Sequence, residues 1–160
     1  MNSLKLRPHH LLDIITSHGR GEQFAPHNYG HALHTVAALV LADDACEIEF
    51  VIGADAICAP CCHLQANGQC DDILRQFDPP ITKQAYNDAL DRRLFDLLGL
   101  TSANRMTMRQ FRQMIERMLP GIATVCAHRG ETPEGRQQGL RQGLAALAGR
   151  ADRGAAAGGG

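Results

Sequence analysis

Apolar and polar residues alternate along Leu4-Lys5-Leu6-Arg7, which predicts a short strand ending at Pro8. From His9 to Ser17 the period changes: Leu11, Leu12, Ile14 and Ile15 form the apolar face of a helix, with Gly19 and Gly21 as its stop. Pro26 suits a first helical turn, and Ala32, Leu33, Val36, Ala37 and Val40 carry a second helix to about Leu41. Glu47-Ile48-Glu49-Phe50-Val51-Ile52 alternates again, as a strand ending at Gly53. No period governs the next stretch, from about Ala54 to Asp72. Unpatterned loops of that length are uncommon in compact domains unless they carry function.

Helical periodicity returns after Pro79-Pro80. Thr82 to Leu98 places Ala85, Leu90, Leu94 and Leu97 inward, with Gly99 as C-cap. Thr107 to Leu119 does the same with Met108, Phe111, Met114, Ile115 and Met118, a stripe best read as core. Pro120-Gly121 ends it, Ile122 to Cys126 is a short apolar run, and a polar Arg/Gln helix covers about Pro133 to Ala148. The pattern predicts an α+β chain that is mostly α. A helical domain over residues 1–150 carries a small two-stranded element, pairing the N-terminal strand with the strand before the cysteines, and a long metal-binding loop. The Ala/Gly stretch at 151–160 reads as a flexible tail.

Composition restricts the function classes. A chain of 160 residues can bury a core without disulfide staples. Its start lacks the apolar h-region of a signal peptide, and no run approaches the roughly 18 apolar residues of a membrane span. These features predict a cytoplasmic protein with no membrane association, in which thiols stay reduced. Net charge is −1, with acidic residues prevailing up to Pro80 and basic ones after it. With no Trp and few aromatics, nothing favours nucleic-acid binding.

The unpatterned loop holds most of the candidate chemistry. Four of the six cysteines, Cys58, Cys61, Cys62 and Cys70, fall within it. A Cys-x2-Cys turn can point two sulfurs at one metal, and Cys70 offers a third. There is no second Cys-x2-Cys pair for a zinc ribbon, so a fourth ligand must come from elsewhere: Cys126, Cys62, Asp13 or His10. Cys62 is the poorest of these, because consecutive side chains project in different directions. Cys126 is favoured because soft sulfur suits an iron–sulfur centre, and Cys46 reads as an ordinary half-buried cysteine. His27, His31 and His34, at i, i+4 and i+7, would share one face of the second helix. Such a face can chelate a divalent metal, although a solvated stripe is the simpler reading. His9 and His10 would sit in a first helical turn, where the helix dipole favours the neutral, ligating imidazole.

The segments L6-R-P-H-H-L-L12, I48-E-F-V-I-G-A-D55, A56-I-C58 and the later Cys70 resemble a family of small bacterial proteins known only as a domain of unknown function. Its members read like LRPHHLLC…GxDDIC…C. The likeness extends over about Leu4 to Leu100 and is most specific at RPHHLL and ADAIC. The resemblance implies a metal or iron–sulfur arrangement of cysteines and the His pair, and Cys126 falls where some members carry a further cysteine. The family often has a cysteine directly after HHLL, where this chain has Asp13. Either Asp13 takes the place of that thiol, or Cys61 or Cys126 does.

Three functions are expected, in this order. The first is an iron–sulfur protein, [4Fe–4S] before [2Fe–2S], for electron transfer or redox sensing with a protein redox partner and no catalytic residues of its own. The second is a structural zinc module for protein interaction. The third is a thiol redox enzyme built on Cys58 and Cys61.

Overall fold

The computed structural model describes residues 3–158. Three short strands form the central sheet. β1 (Leu4–Leu6) pairs parallel with β2 (Glu47–Phe50), Leu4 opposite Ile48 and Leu6 opposite Phe50. β5 (Arg105–Thr107) pairs antiparallel with the other edge of β2. The expected two-stranded element is therefore the first pair of a three-stranded sheet, order β1-β2-β5. A second, two-stranded sheet joins β3 (Ile73–Leu74) to β4 (Ile81–Thr82). Alternation directs Leu6, Ile48 and Phe50 into the core, where the Phe50 ring meets Phe111 at 5.2 Å.

Helices supply the rest of the core. α1 (Pro8–Gly19) begins at Pro8, whose missing N–H costs nothing at the first position. Its buried Leu11, Leu12, Ile14 and Ile15 face α6 (Pro133–Ala157) and α3 (Lys83–Leu98). α3 is capped by the Thr82 hydroxyl, which accepts the Ala85 N–H, and ends at Gly99 with φ 63°. α4 (Met108–Met118) opens with a reciprocal Thr107–Gln110 capping box. The short apolar run forms α5 (Gly121–Cys126). α6 extends past its expected end at Ala148, so residues 151–157 continue the helix, with exposed side chains.

α1 and α6 meet at glycines. A Cβ on Gly143 would stand 2.1 Å from the Ile15 carbonyl oxygen, and one on Gly139 would stand 2.7 Å from Thr16 Cγ2. From the other side, a Cβ on Gly19 would stand 2.2 Å from the Gly139 carbonyl. The two backbones touch, which fixes α1 along its C-terminal half.

The second helix departs from expectation. α2 spans Leu33–Ala42, so His27 and His31 precede it and the three histidines share no helical face. Two features block an earlier start. Gly30 sits at φ 73° in a turn closed by its N–H on the His27 carbonyl, and the next backbone groups pair with the cysteine loop. There Ala32 N–H donates to Ile57 and Tyr29 C=O accepts from Cys62. The His27 and His31 rings still stack at 4.6 Å, by loop geometry.

Candidate metal centre

The site grows from the junction between β1 and α1. Beyond the paired strands, Leu6 C=O accepts the Val51 N–H and Lys5 C=O accepts the Ala56 N–H, so β1 leads the cysteine loop past the start of α1. The Asp55 carboxylate then fastens loop to helix. One oxygen accepts the Ile57 and Cys58 N–H groups at 3.0 and 3.1 Å, an Asx turn. The other accepts the Arg7 N–H at 2.8 Å and meets His10 Nδ1 at 2.7 Å. Burial opposes a charge on Asp55, but the His10 imidazole and the backbone N–H groups outweigh it and hold the carboxyl well below the usual range.

α3 reaches the same junction. The fully buried Asp91 accepts the His9 N–H at 3.1 Å, pairs with His9 Nδ1 at 2.9 Å and receives the Arg7 guanidinium at 2.8 Å. Arg7 also pairs with Asp88 at 2.9 Å. A carboxylate only accepts, so each of these histidines donates its Nδ1–H and turns Nε2 away from its partner. Burial, reinforced by the neighbouring His10, pushes His9 down. At His10 burial acts in the same sense, but Asp55 overcomes it and the net shift is upward.

The loop is ordered by its own backbone. Cys61 N–H donates to Cys58 C=O, Leu64 N–H to Cys61 C=O, and Leu64 and Cys70 form a bridge. Gln84 of α3 accepts the Cys70 N–H at 2.8 Å. Asp71 accepts from Gln65 at 2.8 Å and pairs with His63 Nδ1 at 2.8 Å.

These segments surround a cavity of about 400 Å³. Cys58, Cys61, Cys70, His10 and Asp13 line it, five of the residues singled out from sequence. Among the described residues, one set of three ligand atoms lies mutually within 4.8 Å: those of His10, Asp55 and Cys58. The Cys58, Cys61 and Cys70 sulfurs share the cavity without forming such a set. Burial and the Asp55 charge push the Cys58 thiol up to about 11. Cys62 is exposed and outside the lining, and Cys46 is half-buried.

Two candidates for the fourth ligand stand in other surroundings. Cys126 is 1% exposed, belongs to the apolar core and is absent from the cavity wall; burial pushes its thiol up to about 12. Asp13 is engaged by His128 Nε2 at 2.9 Å and Arg136 at 2.9 Å. His128 above all, with His9 and Arg136, overcomes its burial and holds the carboxyl well below its ordinary range.

Sequence reasoning misses Asp55 and Asp91 as ligands or orienters. Asp55 stands inside the ADAIC segment, a usable signal; Asp91 is an ordinary helix residue in sequence, revealed only by packing. No described helix is long and apolar enough to cross a membrane.

A family model described as "Protein of unknown function (DUF1284)" matches residues 26–128, well over half of the chain, which therefore belongs to that family. The match takes in the cysteine loop and Cys126 but begins after the RPHHLL segment. No curated protein and no solved structure matches the chain.

Proposed function

We propose that this DUF1284 member binds a borderline-soft transition metal such as zinc on the cavity wall, through His10 and Cys58, with Cys61 and Cys70 completing the set. The observation that carries this reading is the convergence of the His10, Asp55 and Cys58 ligand atoms within 4.8 Å beside a cavity. The donor set fits such an ion. Asp55 already accepts from three N–H groups and His10, so it serves as the carboxylate that orients the imidazole. Imidazole and thiolate then supply a nitrogen and sulfur for zinc. Binding would displace the protons of Cys58 and His10, so affinity falls as pH falls.

A second reading has its own support: Cys58, Cys61 and Cys70 share one cavity, as three thiolates of an iron–sulfur cluster would. His10 would be the fourth ligand in place of Cys126. Electron transfer or redox sensing with a protein partner, in a reducing cytoplasm, belongs to this reading. A thiol redox enzyme has less support, since such a nucleophile needs a lowered pKa and Cys58 is pushed up.

Metal and sulfide analysis of anaerobically purified protein decides between them. Zinc without sulfide, lost in Cys58→Ser and His10→Ala, is the expected result. Equal iron and sulfide with visible absorption would transfer the conclusion to the cluster. Metal-free protein that takes up neither would overturn both.

A further inference from the structure

Six side chains form a continuous ribbon along the cavity wall. The His10 ring lies 4.3 Å from His9, and His9 lies 6.3 Å from His128. His128 is 6.4 Å from Tyr86, Tyr86 is 5.6 Å from Phe77, and the Arg129 guanidinium sits 4.6 Å over the Phe77 ring. All six line the cavity. The ribbon runs from a proposed metal ligand to a cation.

The charges on the wall are unequal in their partners. Arg7 is paired with Asp88 and Asp91, Lys83 with Asp72, and Asp13 with Arg136 and His128. Arg129 donates to the Gln76 carbonyl at 2.9 Å and covers Phe77, and among the described residues no carboxylate pairs with it. A second observation comes from the other end. His9 is 3% exposed and held through Nδ1 by Asp91, while its Nε2 has no hydrogen-bond partner among the described residues. The unpaired ring nitrogen of a buried histidine on a cavity wall is a hydrogen-bonding group available to a ligand.

We propose that the cavity binds a small planar organic acid. The acid's carboxylate lies at Arg129, its flat body along Phe77, Tyr86 and His128, and a polar end at His9 and the metal on His10. A planar guanidinium matches a carboxylate in a two-point fork, and aromatic faces suit a flat body. The volume accommodates a compact molecule of this kind. Only the His10 end rests on the metal reading.

Calorimetric titration of the full chain with benzoate tests the proposal, in zinc-loaded and metal-free protein with zinc content measured in parallel. Benzyl alcohol serves as the neutral analogue and phenyl phosphate as the alternative anion. The expected result is saturable 1:1 benzoate binding, weakened about tenfold in Arg129→Gln and about tenfold weaker for benzyl alcohol, the scale of one charged hydrogen bond. Arg129 is exposed, so its variant keeps the fold; 4-hydroxybenzoate, which carries a polar end, should bind more tightly than benzoate in the native chain and no more tightly in His9→Gln. Benzoate binding in metal-free protein that takes up no zinc sustains the acid site while the metal reading fails. Zinc-loaded protein that ignores benzoate overturns the acid site and leaves the metal reading intact. Equal affinity for benzyl alcohol, tighter binding of phenyl phosphate, or indifference to Arg129→Gln would each overturn the assignment.

Discussion

The two ends of α1 are held by opposite means. Its C-terminal half lies against α6 with no side chain between Gly143 and the Ile15 carbonyl, a backbone-to-backbone contact flanked by hydrogen bonds from Arg136 to Asp13 and Thr16. Its N-terminal turn is held by buried charge: Arg7, His9 and His10 are fastened by Asp88, Asp91 and Asp55 from two other segments. The glycine seam tolerates no added atom but contains nothing that reacts. The charged end carries ionised groups that need mutual satisfaction, and it is the end that faces the cavity. The seam sets the position of the helix at one end, and the carboxylates hold the imidazoles at the other.

The seam should give the largest effect. In Gly143→Ala the new methyl meets backbone at 2.1 Å, so the helices must separate. Overpacking against backbone that cannot move aside is expected to cost about 3–4 kcal/mol, near the upper range for point substitutions. Thermal unfolding should show a fall of about 10 °C. A change within about 1 °C would mean that the close contact does not hold α1 and α6 together.

Nearly as large is the effect expected at the charged end. Asp91→Ala leaves the Arg7 guanidinium with Asp88 alone and strips His9 of its partner, both buried. Removing one member of a buried ionic group costs about 3 kcal/mol. The two substitutions should differ in metal uptake. Gly143→Ala should leave that of the folded fraction intact, whereas Asp91→Ala should reduce it by releasing the α1 N-terminus. Urea unfolding with metal analysis on the same samples separates these outcomes.

The contrast also explains what is legible in sequence. α3 and α4 announce their ends locally, through Thr82, Gly99 and the Thr107–Gln110 box, and periodicity gives their bounds nearly as they stand. For α2 it gives too early a start, because the true start is set by backbone bonds to the cysteine loop, which no local pattern records. β5 escapes a reading of the sequence because three residues become a strand only through β2. Gly135, Gly139 and Gly143 recur every fourth residue in the Arg/Gln helix, a readable signal of close helix contact. At the site, Cys58 and His10 are legible by residue type, whereas the carboxylates that orient the histidines are not. Asp91 lies 82 positions from His9, and an acidic residue on a helix is otherwise a solvated one.

A smaller effect is expected from Asp13 and His128. The folded Asp13 pKa lies below its ordinary 3.8, so its contribution is complete above that value and is lost as pH falls through the folded pKa. His128 is raised above 6.5, chiefly by its hydrogen bond to Asp13; its contribution is present below 6.5 and lost as pH rises through the folded pKa. Metal-free protein should therefore lose stability on both sides of that window. About a third of each side chain is exposed, so screening limits the alkaline loss to about 1 kcal/mol. Urea midpoints measured from pH 6 to 9 should fall more steeply in the native chain than in His128→Gln, where the raised His10 still titrates. Parallel curves would show that the pair adds nothing.

The smallest expected effect lies on α6 itself, away from the seam. Gly149 belongs to the same helix as Gly143, but a Cβ there would meet only Arg153 Nη1 at 3.7 Å, an ordinary contact with the end of a flexible side chain. Nothing in its surroundings calls for glycine, and a helical glycine costs about 0.5–1 kcal/mol relative to alanine through backbone entropy. Gly149→Ala should therefore raise stability by up to that amount, a shift of about 1–3 °C, while Gly143→Ala lowers it severalfold more. Opposite signs from one chemical change at two positions on one helix would isolate the contact as the cause. Loss of stability in both variants would instead locate the effect in α6 as a whole, and the seam would lose its special standing.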